Sequence, residues 1–178
     1  QFIPKMIANI AGSQIAIKYG FHGPNYAVTS ACSSATDAIG MAYQLIQSGQ
    51  TDIIISGGCE AGITPLTLSG FANMKALSTQ NDNPTEASKP FDKNRDGFIL
   101  SEGAGILVLE SLEHAKKRNA TILGEIVGYG CTNDAYHVTR PDNDSKSATK
   151  AINLALENSN LNPGDIDYIN AHGTSTYY

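Results

Sequence analysis

Val28-Thr-Ser-Ala-Cys-Ser-Ser-Ala35 decides how this chain is read. A run of β-branched and small residues leads into one cysteine, and two serines then open a helix-like pattern. The stretch predicts a strand over 25–31, a sharp corner, and a helix start, with the Cys32 thiol on the corner. A thiol there lies beside the unpaired N–H groups and the positive dipole end of a helix. Both features suit a nucleophile. The competing reading is a small buried hydrophobe, because free cysteine is among the most buried residue types.

Downstream of the corner, Ala35, Ala38, Ile39, Ala42 and Ile46 recur at helical spacing, and Ser48-Gly49 stops the helix. Asp52-Ile-Ile-Ile-Ser-Gly-Gly58 follows. A continuous isoleucine run bounded by glycines predicts a strand buried on both faces, as in a parallel sheet covered by helices. Residues 25–58 are thus expected to form a β-α-β unit. Upstream, residues 5–19 predict a helix that ends at Gly20. Further on, 66–77 predict a helix and 78–97 a long polar loop. A glycine-split strand is expected over 98–110, then a helix capped by Ser111, with Lys116 and Lys117 in its last turn. A strand over 122–130, a polar loop over 131–144 and a helix from Ser145 come next. The last strand, 166–171, is expected to be buried and to deliver His172 onto Gly173. Strand-helix alternation with few hairpin signals predicts an α/β protein with a mixed or parallel sheet.

Composition narrows the function classes. The 178 residues carry a formal net charge of −5, which argues against nucleic acid as the main partner. Cys32, Cys59 and Cys131 have neither metal-ligand spacing nor the even count of a disulfide framework, so a reducing compartment is expected. No run of about 18 apolar residues predicts a membrane span, and Gln1-Phe-Ile-Pro-Lys5 does not read as a signal peptide. The first residue is not methionine, and the chain stops on Tyr177-Tyr178 just after a glycine corner. Both ends therefore read as cut from a longer protein.

Two motifs look chemical and fail on inspection. Asp92-Lys-Asn94-Arg-Asp96-Gly97 copies the first half of an EF-hand loop, but its twelfth position is Gly103, with Glu102 one residue short. These groups are expected to lock a loop, and no metal site is expected. Gly57-Gly58 and Gly103-Ala-Gly105 lack the spacing of a nucleotide cradle and predict close backbone packing instead. Asn170-Ala-His-Gly-Thr-Ser-Thr176 is more telling. An imidazole ends a strand, as the thiol does, and ligands of open α/β sheets sit at strand carboxyl ends. A thiol and an imidazole within reach make a nucleophile and a base or donor.

Taken together, these segments resemble the β-ketoacyl-[acyl carrier protein] synthases, the condensing enzymes of fatty acid synthesis. The resemblance rests on Gly23-Pro24, Thr29-Ser-Ala-Cys-Ser-Ser34, Gly57-Gly-Cys-Glu60, Gly70-Phe71, Ala76-Leu-Ser78, Lys89-Pro-Phe-Asp92, Arg95-Asp-Gly-Phe98, Glu102-Gly-Ala-Gly105, Asn133-Asp-Ala-Tyr-His137 and Asn170-Ala-His-Gly-Thr-Ser-Thr176. It covers all but Tyr177 and Tyr178 and is nearest the elongating synthase II type. It implies a thiolase-like layered αβαβα architecture with mixed sheets, incomplete in this chain. Residues 1–121 would be most of the N-terminal half and 122–178 the start of the C-terminal half.

By the same resemblance, Cys32 accepts the acyl chain and His172 is the first of two active-site histidines, stabilising the enolate formed when malonyl-carrier loses CO2. Thr174 and Thr176 match hydroxyls that hold the phosphopantetheine arm. Phe71 matches a gating aromatic at the acyl pocket, and Asp134 and Thr139 match polar residues near the arm and the entrance. The implied partners are acyl carrier protein and a second copy of the chain, paired along 25–31. No cofactor is expected beyond the carrier's phosphopantetheine, and the compartment is bacterial cytoplasm or plastid stroma. The family's second histidine and its glycine-rich oxyanion loop would lie beyond Tyr178. A polyketide ketosynthase and a non-catalytic dimerisation or carrier-binding fragment are the alternative readings.

Overall fold

The structure is a computed structural model that describes residues 2–178. Its elements in order are α1 (Ile3–Met6), α2 (Ile10–Tyr19), α3 (Ser34–Gln47), β1 (Ile53–Glu60), α4 (Pro65–Asn73), β2 (Gly103–Glu110), α5 (Leu112–Lys117) and α6 (Lys146–Ser159). Short 3-10 turns occupy Ala31–Ser33, Pro84–Glu86 and Pro163–Asp165. The chain divides into two compact units. The first holds Gln1–Gly58 and Ile106–Leu123, and the second holds Cys59–Gly105 and Gly124–Tyr178.

In the first unit the expected single helix over 5–19 is two, because Ile7 turns extended at ψ 135° and breaks it. Gly20 and Gly49 close α2 and α3 in the left-handed region, at φ 68° and 72°, where only glycine is unstrained. The chain after α2 crosses back over it, and the Asn25 amide donates to Ser13 Oγ at 3.1 Å. β1 is hydrogen-bonded to β2, and Gly58 is the point where α3 meets β1. A Cβ built on Gly58 would lie 2.7 Å from the Ala35 Cβ, so the small residues here permit the approach that the glycine pair predicts. Ser111 caps α5 as expected, its Oγ accepting from His114 N at 3.3 Å. The same hydroxyl donates to Asp52 Oδ1 at 3.1 Å, tying α5 to the residue before β1.

In the second unit, α6 lies across the segment 128–132. A Cβ on Gly128 or Gly130 would run into the Ala155 or Ala151 carbonyl of that helix. Asn158 donates to the Tyr129 carbonyl at 2.7 Å and Thr132 to the Ser147 carbonyl at 2.7 Å. The neck of the polar loop is pinched by a parallel bridge between Leu77 and Phe98.

Several expected strands differ. Among the described residues the sheet has two strands, and 25–31, 122–130 and 166–171 carry no ladder. β-branched composition marks segments that fit a pleated surface, but a strand exists only where a neighbour supplies hydrogen bonds. The expected burial also differs. β1 is exposed at Ile53 and half-buried over 54–58, and residues 166–172 are exposed. The buried apolar side chains among the described residues are Ala42, Ala87 and Ala115.

Candidate active site

Cys32 sits in the 3-10 turn Ala31–Ser33, directly before α3, and is exposed. The residue before it, Ala31, has φ 54°. A side chain in that left-handed region costs about 1 kcal/mol and persists only when neighbours hold it. Here three hydroxyls and a carboxylate do so. Ser34 Oγ donates to the Ala31 carbonyl at 2.6 Å and accepts from Ser30 N at 2.9 Å. Ser33 Oγ donates to the Ser30 carbonyl at 2.8 Å. One carboxylate oxygen of Asp37, in the first turn of α3, receives both the Ser30 hydroxyl and, at 3.1 Å, the Ser33 hydroxyl. The result is a fastened corner that turns the thiol outward at a helix N-terminus. Sequence reading took the serines as corner residues and missed Asp37; its position four residues after Ser33 on the helix was the available signal.

The other candidates lie in the second unit. His172 is exposed and is followed by a corner with two left-handed residues, Gly173 at φ 48° and Ser175 at φ 66°. Thr174 and Thr176 are half-buried and brought together, their hydroxyls 2.8 Å apart. Between them Ser175 is 2% exposed. The loop 78–97 grips this corner. Ser175 Oγ accepts from Lys89 N at 3.1 Å, and its carbonyl accepts from Gly97 N at 2.9 Å. Arg95 Nε donates to the Thr176 carbonyl at 2.6 Å.

Phe71 packs edge-to-face on Phe98, with ring centroids 5.1 Å apart. Phe98 follows Gly97, so this aromatic pair is continuous in sequence with the loop neck that touches Ser175. Asp134 and Thr139 are engaged within their own loop. Asp134 accepts from Asp142 N at 3.0 Å, and Thr139 N donates to His137 Nδ1 at 3.1 Å. His137 Nδ1 also accepts from Arg140 N at 3.2 Å. Thus Cys32 belongs to the first unit, and Phe71, Asp134, Thr139, His172, Thr174 and Thr176 to the second.

The EF-hand look-alike has other uses for its carboxylates. Asp92 Oδ1 accepts from Asn94 N at 2.6 Å, an Asx turn. Asp96 takes Thr79 N at 3.0 Å, the Thr79 hydroxyl at 3.2 Å and the Gln80 amide at 2.9 Å. A hydrogen bond from Ser78, followed by that from Thr79 N, holds the Asp96 carboxyl below its ordinary range. These groups lock the loop. Among the described residues no set of three His, Cys, Asp or Glu side chains is grouped to hold a metal ion.

Comparison with known proteins bears on this arrangement. The family model for the beta-ketoacyl synthase N-terminal domain matches residues 1–115, and that for the C-terminal domain matches 123–178. The chain is 54% identical to a 3-oxoacyl-[acyl-carrier-protein] synthase 2 of Synechocystis, over 98% of this chain and 42% of that protein. It is 49% identical to a mitochondrial 3-oxoacyl-[acyl-carrier-protein] synthase of Arabidopsis thaliana, over 98% of this chain and 38% of the relative. The chain therefore spans about two fifths of the length of these relatives. Among solved structures, it superposes with a TM-score of 0.94 and 38% identity on a chain from a type II polyketide synthase acyl-carrier protein in complex with its ketosynthase, covering 98% of this chain and 43% of that one. A beta-ketoacyl synthase of Burkholderia phymatum gives a TM-score of 0.91 and 40% identity, covering 97% of this chain and 42% of that one. The fold is accordingly the α/β, thiolase-like fold of the ketosynthases.

Proposed function

The chain belongs to the β-ketoacyl synthase family, and from that premise we propose that it carries the acyl-accepting half of a 3-oxoacyl-[acyl carrier protein] synthase site. The reaction is a decarboxylative Claisen condensation. The Cys32 thiolate attacks the carbonyl of an acyl thioester, and the carrier's thiolate leaves. Malonyl-carrier then loses CO2: its carboxylate carbon bond breaks, and the electron pair moves onto the thioester oxygen as an enolate. An imidazole N–H of His172 stabilises that oxygen, which is the kind of charge that a positioned donor favours most. The enolate carbon attacks the Cys32 thioester, expels the thiolate and leaves a chain two carbons longer. In this reading the Thr174 and Thr176 hydroxyls hold the phosphopantetheine arm, Phe71 borders the acyl pocket, and Asp134 and Thr139 line the approach. The arm belongs to the substrate, so the chain needs no resident cofactor.

The observation that carries the proposal is the fastened Ala31–Ser33 corner, which presents Cys32 exposed at the start of α3. Identities of 47–54% to proteins named synthase 2 support fatty acid synthesis as the pathway. In the full-length parent, Cys32→Ala is expected to abolish condensation, measured as elongation of an acyl-carrier substrate; retained elongation would sink the proposal.

A second reading is a polyketide ketosynthase, favoured by the superposition on a polyketide system at a TM-score of 0.94. Its 38% identity is lower than that of the synthase 2 relatives, and profiling simple acyl against poly-β-keto substrates separates the two. The partners in either case are acyl carrier protein, supported by the carrier complex among the similar structures, and a second copy of the chain paired along 25–31. No helix among the described residues is long and apolar enough to cross a membrane. Bacterial cytoplasm or plastid stroma is the proposed compartment; the mitochondrial plant relative makes import of a tagged parent the direct check.

A further inference from the structure

We infer that Arg95 is a positioning residue for His172, acting through the backbone of the corner that follows the imidazole. The inference rests on the decarboxylation role proposed for His172. That corner is a costly shape. Ser175 is a non-glycine residue at φ 66° and only 2% exposed, and such a residue stays left-handed only where its surroundings hold it.

Arg95 spans the joint. Its Nε donates to the Thr176 carbonyl at 2.6 Å, Nη2 to the Tyr177 carbonyl at 3.1 Å and Nη1 to the Asp92 carbonyl at 2.8 Å. The three acceptors are main-chain carbonyls, two on the corner and one on the loop. The planar fork therefore reads backbone geometry, which a lysine ammonium cannot reproduce. Lys89 N and Gly97 N hold Ser175 from the same loop, so 89–97 acts as one brace. The left-handed Gly173 leads directly out of His172. A rotation of the corner therefore moves the imidazole, and an oxyanion donor must stay within about 2.7–3.1 Å of its oxygen to work.

The test uses the full-length parent with Arg95→Gln and Arg95→Lys. Two readouts are taken on each preparation: CO2 release from malonyl-carrier, and the rate at which iodoacetamide alkylates Cys32, followed by mass spectrometry with Cys59 and Cys131 as internal references. Arg95→Gln is expected to slow decarboxylation by about 10- to 100-fold, the scale of a misplacement of about 1 Å, with Cys32 alkylation unchanged. Arg95→Lys is expected to fall between Gln and the parent. Unchanged decarboxylation in Arg95→Gln overturns the inference. So does a parallel fall of both readouts in both variants, which marks general loss of structure. His172→Ala is run alongside. If it keeps decarboxylation, the reading of His172 fails; if it loses decarboxylation while Arg95→Gln does not, the positioning inference alone fails.

Discussion

Ala31 carries the backbone strain of the Cys32 corner, and Asp37 holds the flanking serines from the helix side. One oxygen of Asp37 serves both Ser30 and Ser33, so an amide oxygen can take its place but a methyl group cannot. Asp37→Ala is expected to slow iodoacetamide alkylation of Cys32, as the corner samples other conformations, while Asp37→Asn keeps the parent rate. Equal slowing in both variants would mean that charge matters and the hydroxyl bridges do not. The lost hydrogen bonds should cost about 1 kcal/mol of stability in the alanine variant. At this scale the sequence was informative about the turn that presents Cys32, because a small-residue run there meets a helix start. It was silent about the brace on the second corner: Arg95 looks like an ordinary surface charge until its acceptors are known, and Lys89 contributes there through its main-chain N–H.

Among the elements, packing turns on glycines that let a helix approach. Gly58→Ala would place a methyl 2.7 Å from the Ala35 Cβ, and Gly130→Ala would drive one into the Ala151 carbonyl and the Leu154 side chain. Each is expected to destabilise by about 1–3 kcal/mol, whereas Gly124→Ala, with nothing within 4 Å, should stay within about 0.5 kcal/mol. Chemical denaturation of the three variants, each made in the full-length parent, checks the contrast. The end of β2 carries a pH-dependent tie. The Glu110 side chain is 8% exposed. It accepts from Arg118 Nε at 2.8 Å and pairs with His114 Nδ1 at 2.6 Å, with Arg118 Nη2 on its other oxygen. The Arg118 hydrogen bonds, then that from His114, hold its carboxyl down from 4.5 to about 2. A depressed carboxylate stabilises the fold above its unfolded value, and that contribution fades as pH falls through the window from 4.5 towards 2. Glu110→Gln is expected to flatten the acid limb of an unfolding-versus-pH curve over that window and leave neutral-pH behaviour otherwise parallel. The helix pattern and the glycine stops that frame these contacts were legible from residue spacing. Strand assignments at 25–31, 122–130 and 166–171 were not, since apolar alternation states a preference and pairing is a property of two segments.

Across the whole chain, burial is thin. The buried apolar side chains among the described residues are three alanines, while Leu66, Leu123, Val138, Tyr168 and Ile169 are between 75% and 97% exposed. Apolar surface of this extent favours dye binding and association. The 178-residue chain alone is expected to keep helical far-UV circular dichroism, bind anilinonaphthalene sulfonate and melt over a broad range; a sharp transition without dye binding would contradict this. Sequence alone determined the α/β class, the family resemblance, the Cys32 corner and the histidine-threonine corner. Each is written in local order, as residue types at short spacing that a backbone turn or helix start requires. Tertiary structure alone decided that the Arg95 side chain and the Lys89 main-chain N–H reach across about 80 residues to the corner after His172, and that glycines 128 and 130 lie under α6. Those contacts join residues far apart in the chain, and their hydrogen-bond partners are chosen by where the fold brings backbone carbonyls and hydroxyls, which no local pattern encodes.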